Sequence, residues 1–189
     1  MRTITDKNHR TIAFLETEMH IETQVDAFLV DRRAQGKSEG TLGFYRQKLA
    51  LFREYCGAQG VMAITQLTPT LIRNFILWLQ QRGHNKGGVH AFYRTLRTFL
   101  FWWEEEYEPE GWKNPIRKVK PPRVDKRLLD PASASAVSVL LGACSGGYLG
   151  ARDKAAILFL CDTGCRASEF TGLNVTDYDV SSGAVVIRN

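Results

Sequence analysis

Four successive stretches of this chain repeat an apolar residue every three or four positions, the first three closed by glycine and the fourth by the acidic run Glu104–Glu110, and this constrains the fold more than any other feature. Ile21, Val25, Phe28 and Leu29 form the first stripe, which stops before Gly36. Leu42, Tyr45, Leu49, Phe52 and Cys56 form the second, up to Gly57 and Gly60; Leu71, Ile72, Phe75, Ile76 and Leu79 form the third, up to Gly83. The fourth holds Val89, Phe92, Tyr93, Leu96, Phe99, Leu100 and Trp103. A 3.6-residue period with short breaks predicts amphipathic helices that hide their stripes against one another. Thr68-Pro69 supplies a cap followed by a first-turn proline for the third. The expected result is a compact four-helix bundle over residues 20–108, preceded by an arm, 1–19, with no clear period.

The opposite face of the fourth helix carries Lys86, His90, Arg94 and Arg97, spaced to meet successive phosphates along a groove. Arg46 and Arg53 form a similar row on the second helix, and Lys37 precedes it. Between Lys37 and Trp102 nine cations face only Glu39 and Glu54, whereas ordinary surfaces mix both signs. The net charge of +5 and a pI near 9.1 follow from this half of the chain. A basic face of this kind suits a polyanion, duplex DNA foremost, although an acidic protein partner would also fit. Phe99, Phe101, Trp102 and Trp103 could be a stacking platform for bases, but Phe99 and Trp103 share the apolar stripe, which favours core packing.

Residues 109–127 read as a connector. Pro115, Pro121 and Pro122 oppose helix and favour polyproline geometry, and Lys118, Lys120 and Arg123 keep the segment basic. A second domain, 128–189, should follow, with Asp130-Pro131 opening a helix that buries Ala136, Val137, Leu140 and Leu141. Ala155 to Cys161 is apolar on every face, which suits a helix buried all round or a core strand. Val175–Val180, the turn Ser181-Ser182-Gly183 and Ala184–Ile187 suggest a β-hairpin. Cys56, Cys144, Cys161 and Cys165 lack metal-ligand spacing and read as reduced core thiols of a cytoplasmic protein. No apolar run approaches a membrane span, and Met1–Asp6 lacks the apolar region of a secretory signal.

Thr163-Gly164 reads as a helix stop and Ala167–Thr171 as a restart, so Arg166 is expected in its first turn, where backbone N–H groups are unpaired and the dipole end is positive. Left to itself, the arginine could simply pair with Asp162 or Glu169; a bound phosphate would give it a different purpose. The string Thr163-Gly164-Cys165-Arg166-Ala167-Ser168-Glu169-Phe170, followed by Gly172-Leu173 and Asp177, resembles the first conserved box of the tyrosine recombinases, or phage integrases.

That resemblance implies a mainly α fold, with an N-terminal four-helix, SAM-like core-binding bundle followed by a truncated α+β catalytic domain. It implies that Arg166 is a catalytic arginine holding the scissile phosphate and that Glu169 is its supporting acid. The family's reaction is attack by a tyrosine on a DNA phosphodiester, giving a phosphotyrosyl link, with no metal or nucleotide cofactor. Its protomers associate on double-stranded DNA, which the two domains clamp, often in the service of a mobile element. The family also uses a lysine, a His-x-x-Arg box and a tyrosine near its C-terminus. Arg166 is the one cation of that set with a match here, and neither Tyr148 nor Tyr178 sits at the nucleophile's place. The expectation is therefore a DNA-binding chain that does not cleave by itself. A non-catalytic DNA-binding or regulatory protein on the same scaffold is the alternative.

Overall fold

A computed structural model describes residues 19–124 and 130–187. The chain divides into two compact units, Met1–Lys126 and Arg127–Asn189. The expected arm lies outside the described residues except for Met19, as do residues 125–127 at the end of the connector and 128–129 at the start of the second domain.

The first unit contains α1 (Ile21–Ala34), α2 (Glu39–Ala58), α3 (Pro69–Gln81) and α4 (Lys86–Tyr107). Local chemistry fixes their starts. The oxygens of Ser38, Thr68 and Asn85 accept hydrogen bonds from the backbone N–H groups of Thr41, Leu71 and Gly88, at 3.3, 3.1 and 2.7 Å, satisfying donors that a helix leaves open. α4 is the centre of the unit and packs against α1, α2 and α3. Its stripe is wide enough to serve all three, with Val89, Phe92, Leu96, Phe99, Leu100 and Trp103 nearly inaccessible. Phe28 of α1 meets Phe99 and Trp102 edge-on, at 5.5 and 5.3 Å between ring centres, and Phe75 of α3 meets Phe52 and Phe92 at 5.1 and 5.9 Å. These are the favoured edge-to-face arrangements, each side chain contributing about 1.5–3 kcal/mol by burial. The core-packing account of Phe99, Trp102 and Trp103 thus holds, while Phe101 remains half-exposed.

α4 ends at Glu108, which adopts the left-handed conformation (φ 40°), the only non-glycine among the described residues with positive φ. The connector beyond it does not run free. Trp112 packs edge-on against Trp103 at 4.6 Å, Pro115–Lys118 wind into a 3₁₀ turn, and Ile116 and Val119 are buried in the bundle core. Polyproline geometry is displaced here because Asn114 caps the turn, its Oδ1 accepting from the Ile116 N–H at 3.2 Å.

The second unit contains α5 (Ala134–Ala143), α6 (Gly147–Thr163) and α7 (Ala167–Thr171). Ser133, not Asp130, caps α5, accepting from the Ala136 N–H at 3.2 Å. α5 and α6 pack against each other, and the turn between them closes on Gly150, where a Cβ would overlap the Ser145 carbonyl oxygen. The expectation of a helix buried all round is not met: Leu158, Leu160 and Cys161 are exposed and Ile157 and Phe159 half-buried. Nor does α5 bury its apolar side, since Ala136 and Leu140 are exposed and Val137 and Leu141 only half-buried. A helix apolar on all sides needs neighbours on all sides, and among the described residues of this unit the helices beside α6 are α5 and α7. Of the cysteines, only Cys56 is buried in a core; burial pushes its thiol up to about 12.

The hairpin is reduced to a single antiparallel bridge between Tyr178 and Val185, and no strand forms among the described residues. Val175–Asp177 is a 3₁₀ turn instead, because the buried Asp177 carboxylate accepts from the Asn174 N–H at 2.9 Å and draws the backbone round.

Candidate nucleic-acid interface

The docked connector gathers cations that lie far apart in the chain. Lys118, Val119 and Lys120 form the partition between two shallow hollows on the first unit. On one side the hollow is lined by Arg73 and Gln80 of α3, by His84 in the turn before α4, by Lys86 and Val89 of α4, and by Pro122 and Arg123. On the other it is lined by Tyr93, Arg97 and Phe101 of α4 with Ile116 and Arg117. Seven cations line the pair and no carboxylate does. Such clustering raises the local potential and draws polyanions.

Specific bonds hold that arrangement. The Arg73 guanidinium donates to the Lys118 carbonyl oxygen at 2.8 Å, and the buried Tyr93 hydroxyl donates to the Val119 carbonyl oxygen at 2.9 Å. The guanidinium carbons of Arg97 and Arg117 lie 4.7 and 4.6 Å from the centre of the Phe101 ring, whose quadrupole attracts both. Arg117 also pairs with Glu104 at 2.9 Å. Burial by itself would push the Glu104 carboxyl up, but the hydrogen bonds from Arg117 and Asn114 outweigh it and hold the group below its ordinary range.

Of the residues singled out from sequence, Lys86, Arg97, Lys118, Lys120 and Arg123 are thus brought together. His90 is half-buried beside Tyr93, at 6.5 Å between rings, and Arg94 is exposed above a different hollow with Ser38, Thr41 and Phe44. Lys37 and Arg46 are exposed and line neither connector hollow. Arg53 pairs with Glu22 at 2.6 Å, in a hollow that also contains Glu54, so its charge is largely answered within the protein. Arg73 and Arg117 join the cluster without having been selected. The signal for Arg73 was an arginine opposite the α3 stripe with no acid nearby; for Arg117, Ile116 and Val119 three residues apart in a segment otherwise read as extended.

In the second unit, Thr163 and Gly164 build the turn that presents Arg166. The Thr163 hydroxyl donates to the Phe159 carbonyl oxygen at 2.7 Å and accepts from the Cys165 N–H at 3.3 Å, while Gly164 takes the left-handed cap (φ 62°). Arg166 is the residue that precedes α7, not a member of its first turn. Glu169 holds it twice, accepting from its backbone N–H at 2.7 Å and from its guanidinium at 2.6 Å. These bonds, the backbone one foremost, keep the Glu169 carboxyl below its usual range. The carboxylate side chain is 13% exposed and that of Arg166 79%, so the acid is tucked under a guanidinium whose remaining donors face outward. The ordinary ion pair and the phosphate-facing arginine are therefore compatible: Glu169 orients the fork without covering it.

Comparison with known proteins gives a consistent result. Residues 25–101 match the family described as the Phage integrase SAM-like domain. The chain is similar to the protein named Tyrosine recombinase XerC from Azotobacter vinelandii, 28% identical over 170 residues, covering 89% of this chain and 56% of that protein. The corresponding protein of Oceanobacillus iheyensis is 27% identical over 174 residues, covering 92% and 55%, and that of an Escherichia coli strain is 27% identical over 173 residues, covering 89% and 56%. The chain spans about half the length of the curated relatives it matches.

Proposed function

Because this chain belongs to the tyrosine recombinase family, we propose that it is the DNA-binding part of a site-specific recombinase, whose whole protein cuts and rejoins strands through a phosphotyrosine. The first unit is the core-binding module, and its docked connector grips the phosphate backbone. Residues 128–189, within the second unit, begin the catalytic domain, in which Arg166 holds the scissile phosphate and Glu169 fixes the arginine's direction. A positioned guanidinium of this kind stabilises the charge that builds on phosphate oxygens as the diester is attacked.

The observation that carries the reading is the pair of hollows on either side of Lys118–Lys120, lined by seven cations and no carboxylate. A surface so rich in cations suits a ligand with many closely spaced negative charges, which duplex DNA supplies. Among the residues of this chain only Arg166 matches a catalytic cation of the family, so the chain by itself binds without cleaving.

Titration of the chain with labelled duplex over a salt series tests both statements. The expected result is non-specific binding on the order of 10⁻⁴ to 10⁻⁶ M at physiological salt, weakening steeply as salt rises. Absence of binding at low salt refutes the interface. A covalent adduct with suicide-substrate DNA, abolished in Arg166→Ala, refutes the binding-only assignment.

A further inference from the structure

The connector's cations are held in place by an acid. Glu104 lies one turn before the end of α4, its side chain 27% exposed, and accepts at Oε2 from Asn114 Nδ2 at 3.0 Å and from Arg117 Nη2 at 2.9 Å. Asn114, itself 2% exposed, donates from the same nitrogen to the Leu100 carbonyl oxygen at 3.0 Å and caps the 3₁₀ turn through its Oδ1. At the far end of the turn the Tyr93 hydroxyl holds the Val119 carbonyl. Between these two fastenings, exposure alternates: Val119 is buried while Lys118 and Lys120 face outward.

We propose that Glu104, Asn114 and Tyr93 are positioning residues for polyanion binding, a latch that sets the direction in which the connector presents Lys118 and Lys120. The inference rests on the DNA-binding reading above and goes beyond it by assigning a favourable part to a carboxylate of the same sign as the ligand. A connector already docked loses little conformational freedom on binding, whereas a frayed one must be ordered at that moment. Apparent affinity then falls in proportion to the docked fraction.

The test compares Glu104→Gln and Tyr93→Phe in the full chain, with Tm recorded for each. Charge alone makes opposite demands: removing a carboxylate tightens binding to DNA, and removing a hydroxyl leaves it unchanged. The latch demands that both variants weaken duplex binding, by less than the roughly tenfold shift in opening, with the slope of log affinity against log salt preserved because every cation remains. Trypsin gives a second readout that needs no DNA. Cleavage after Arg117 or Lys118 should accelerate roughly tenfold in both variants, since the loss of a hydrogen bond to a buried or charged group shifts opening by about that factor. Lys120 is protected in any case by the following Pro121.

Unchanged or tighter DNA binding by Glu104→Gln overturns the latch, as does an unchanged trypsin rate. If the wild-type chain itself fails to bind duplex, the functional reading falls, and the trypsin rates alone decide whether the latch exists.

Discussion

Replacing Lys118, Lys120 and Arg123 together by alanine offers the most direct measure of the connector hollows. All three are exposed, and Lys118 and Lys120 line the hollow that contains Arg73 and Lys86, as does Arg123. Ile116 and Val119, which anchor the segment in the core, are untouched. Exposed substitutions of this sort leave stability within about 0.5 kcal/mol each, so Tm should barely move. If each cation neutralises one phosphate, the slope of log affinity against log salt should shrink by about 2.7, from three contacts at about 0.9 apiece. Over a fourfold rise in salt, from about 50 to 200 mM, the wild type then loses about 40-fold more affinity than the variant. Fluorescence anisotropy with labelled duplex at several salt concentrations reads this directly. Arg53→Ala is the internal control: with its charge answered by Glu22 at 2.6 Å, it should alter the slope by much less than about 0.9. A triple variant whose slope stays within about 0.5 of wild type, or an Arg53→Ala effect as large as one connector cation, refutes the assignment of the hollows as the phosphate-binding surface.

Other consequences are equally direct. The pair Arg94→Ala and Arg97→Ala should weaken duplex binding and flatten the same slope, with Arg97 the larger contributor because it lines a connector hollow and Arg94 does not; the single variants separate them. Glu108→Gly should raise stability by about 1 kcal/mol in thermal denaturation, since glycine enters the left-handed cap without the steric cost a side chain meets there. Gly150→Ala should displace the turn between α5 and α6, because its Cβ would overlap the Ser145 carbonyl, and the loss should appear as increased proteolysis confined to the second unit. Glu169 has a lowered carboxyl pKa, so its hold on Arg166 is fully present above the ordinary carboxylate range and is lost as pH falls through the lowered value. The Arg166 backbone amide resonance should therefore move only in the acid range, below the pH where an unperturbed glutamate titrates, and Glu169→Gln should abolish that transition.

The bundle was legible because helical periodicity is a one-dimensional signal. Leu42, Leu49 and Phe52, or Ile72, Phe75 and Leu79, mark a face wherever they are placed, and the cap residue Thr68 acts on a donor three positions away. The turn at Thr163–Arg166 was readable for the same reason, its bonds spanning at most four residues. The second unit was less so. Apolar residues around all of α6 state that the helix tends toward burial, but not what would cover it, and α5 and α7 cover only part. The hairpin failed at Val175 because a side-chain carboxylate from Asp177 competed successfully for the backbone.

By itself the sequence determined the four helices, their order, the glycine-marked breaks between them, and the string that places Arg166 beside Glu169. Each of these depends on residues close together in the chain. The tertiary structure alone decided that the connector lies against the bundle, through Tyr93 to Val119 and Arg73 to Lys118, pairs 26 and 45 positions apart. It therefore also decided which cations share a surface: Arg53 is answered by an acid 31 positions earlier, while Arg73 and Arg117 join Lys118 and Lys120. Charge is a property of a residue, but potential is a property of an arrangement, and that arrangement depends on which distant segments the core holds together.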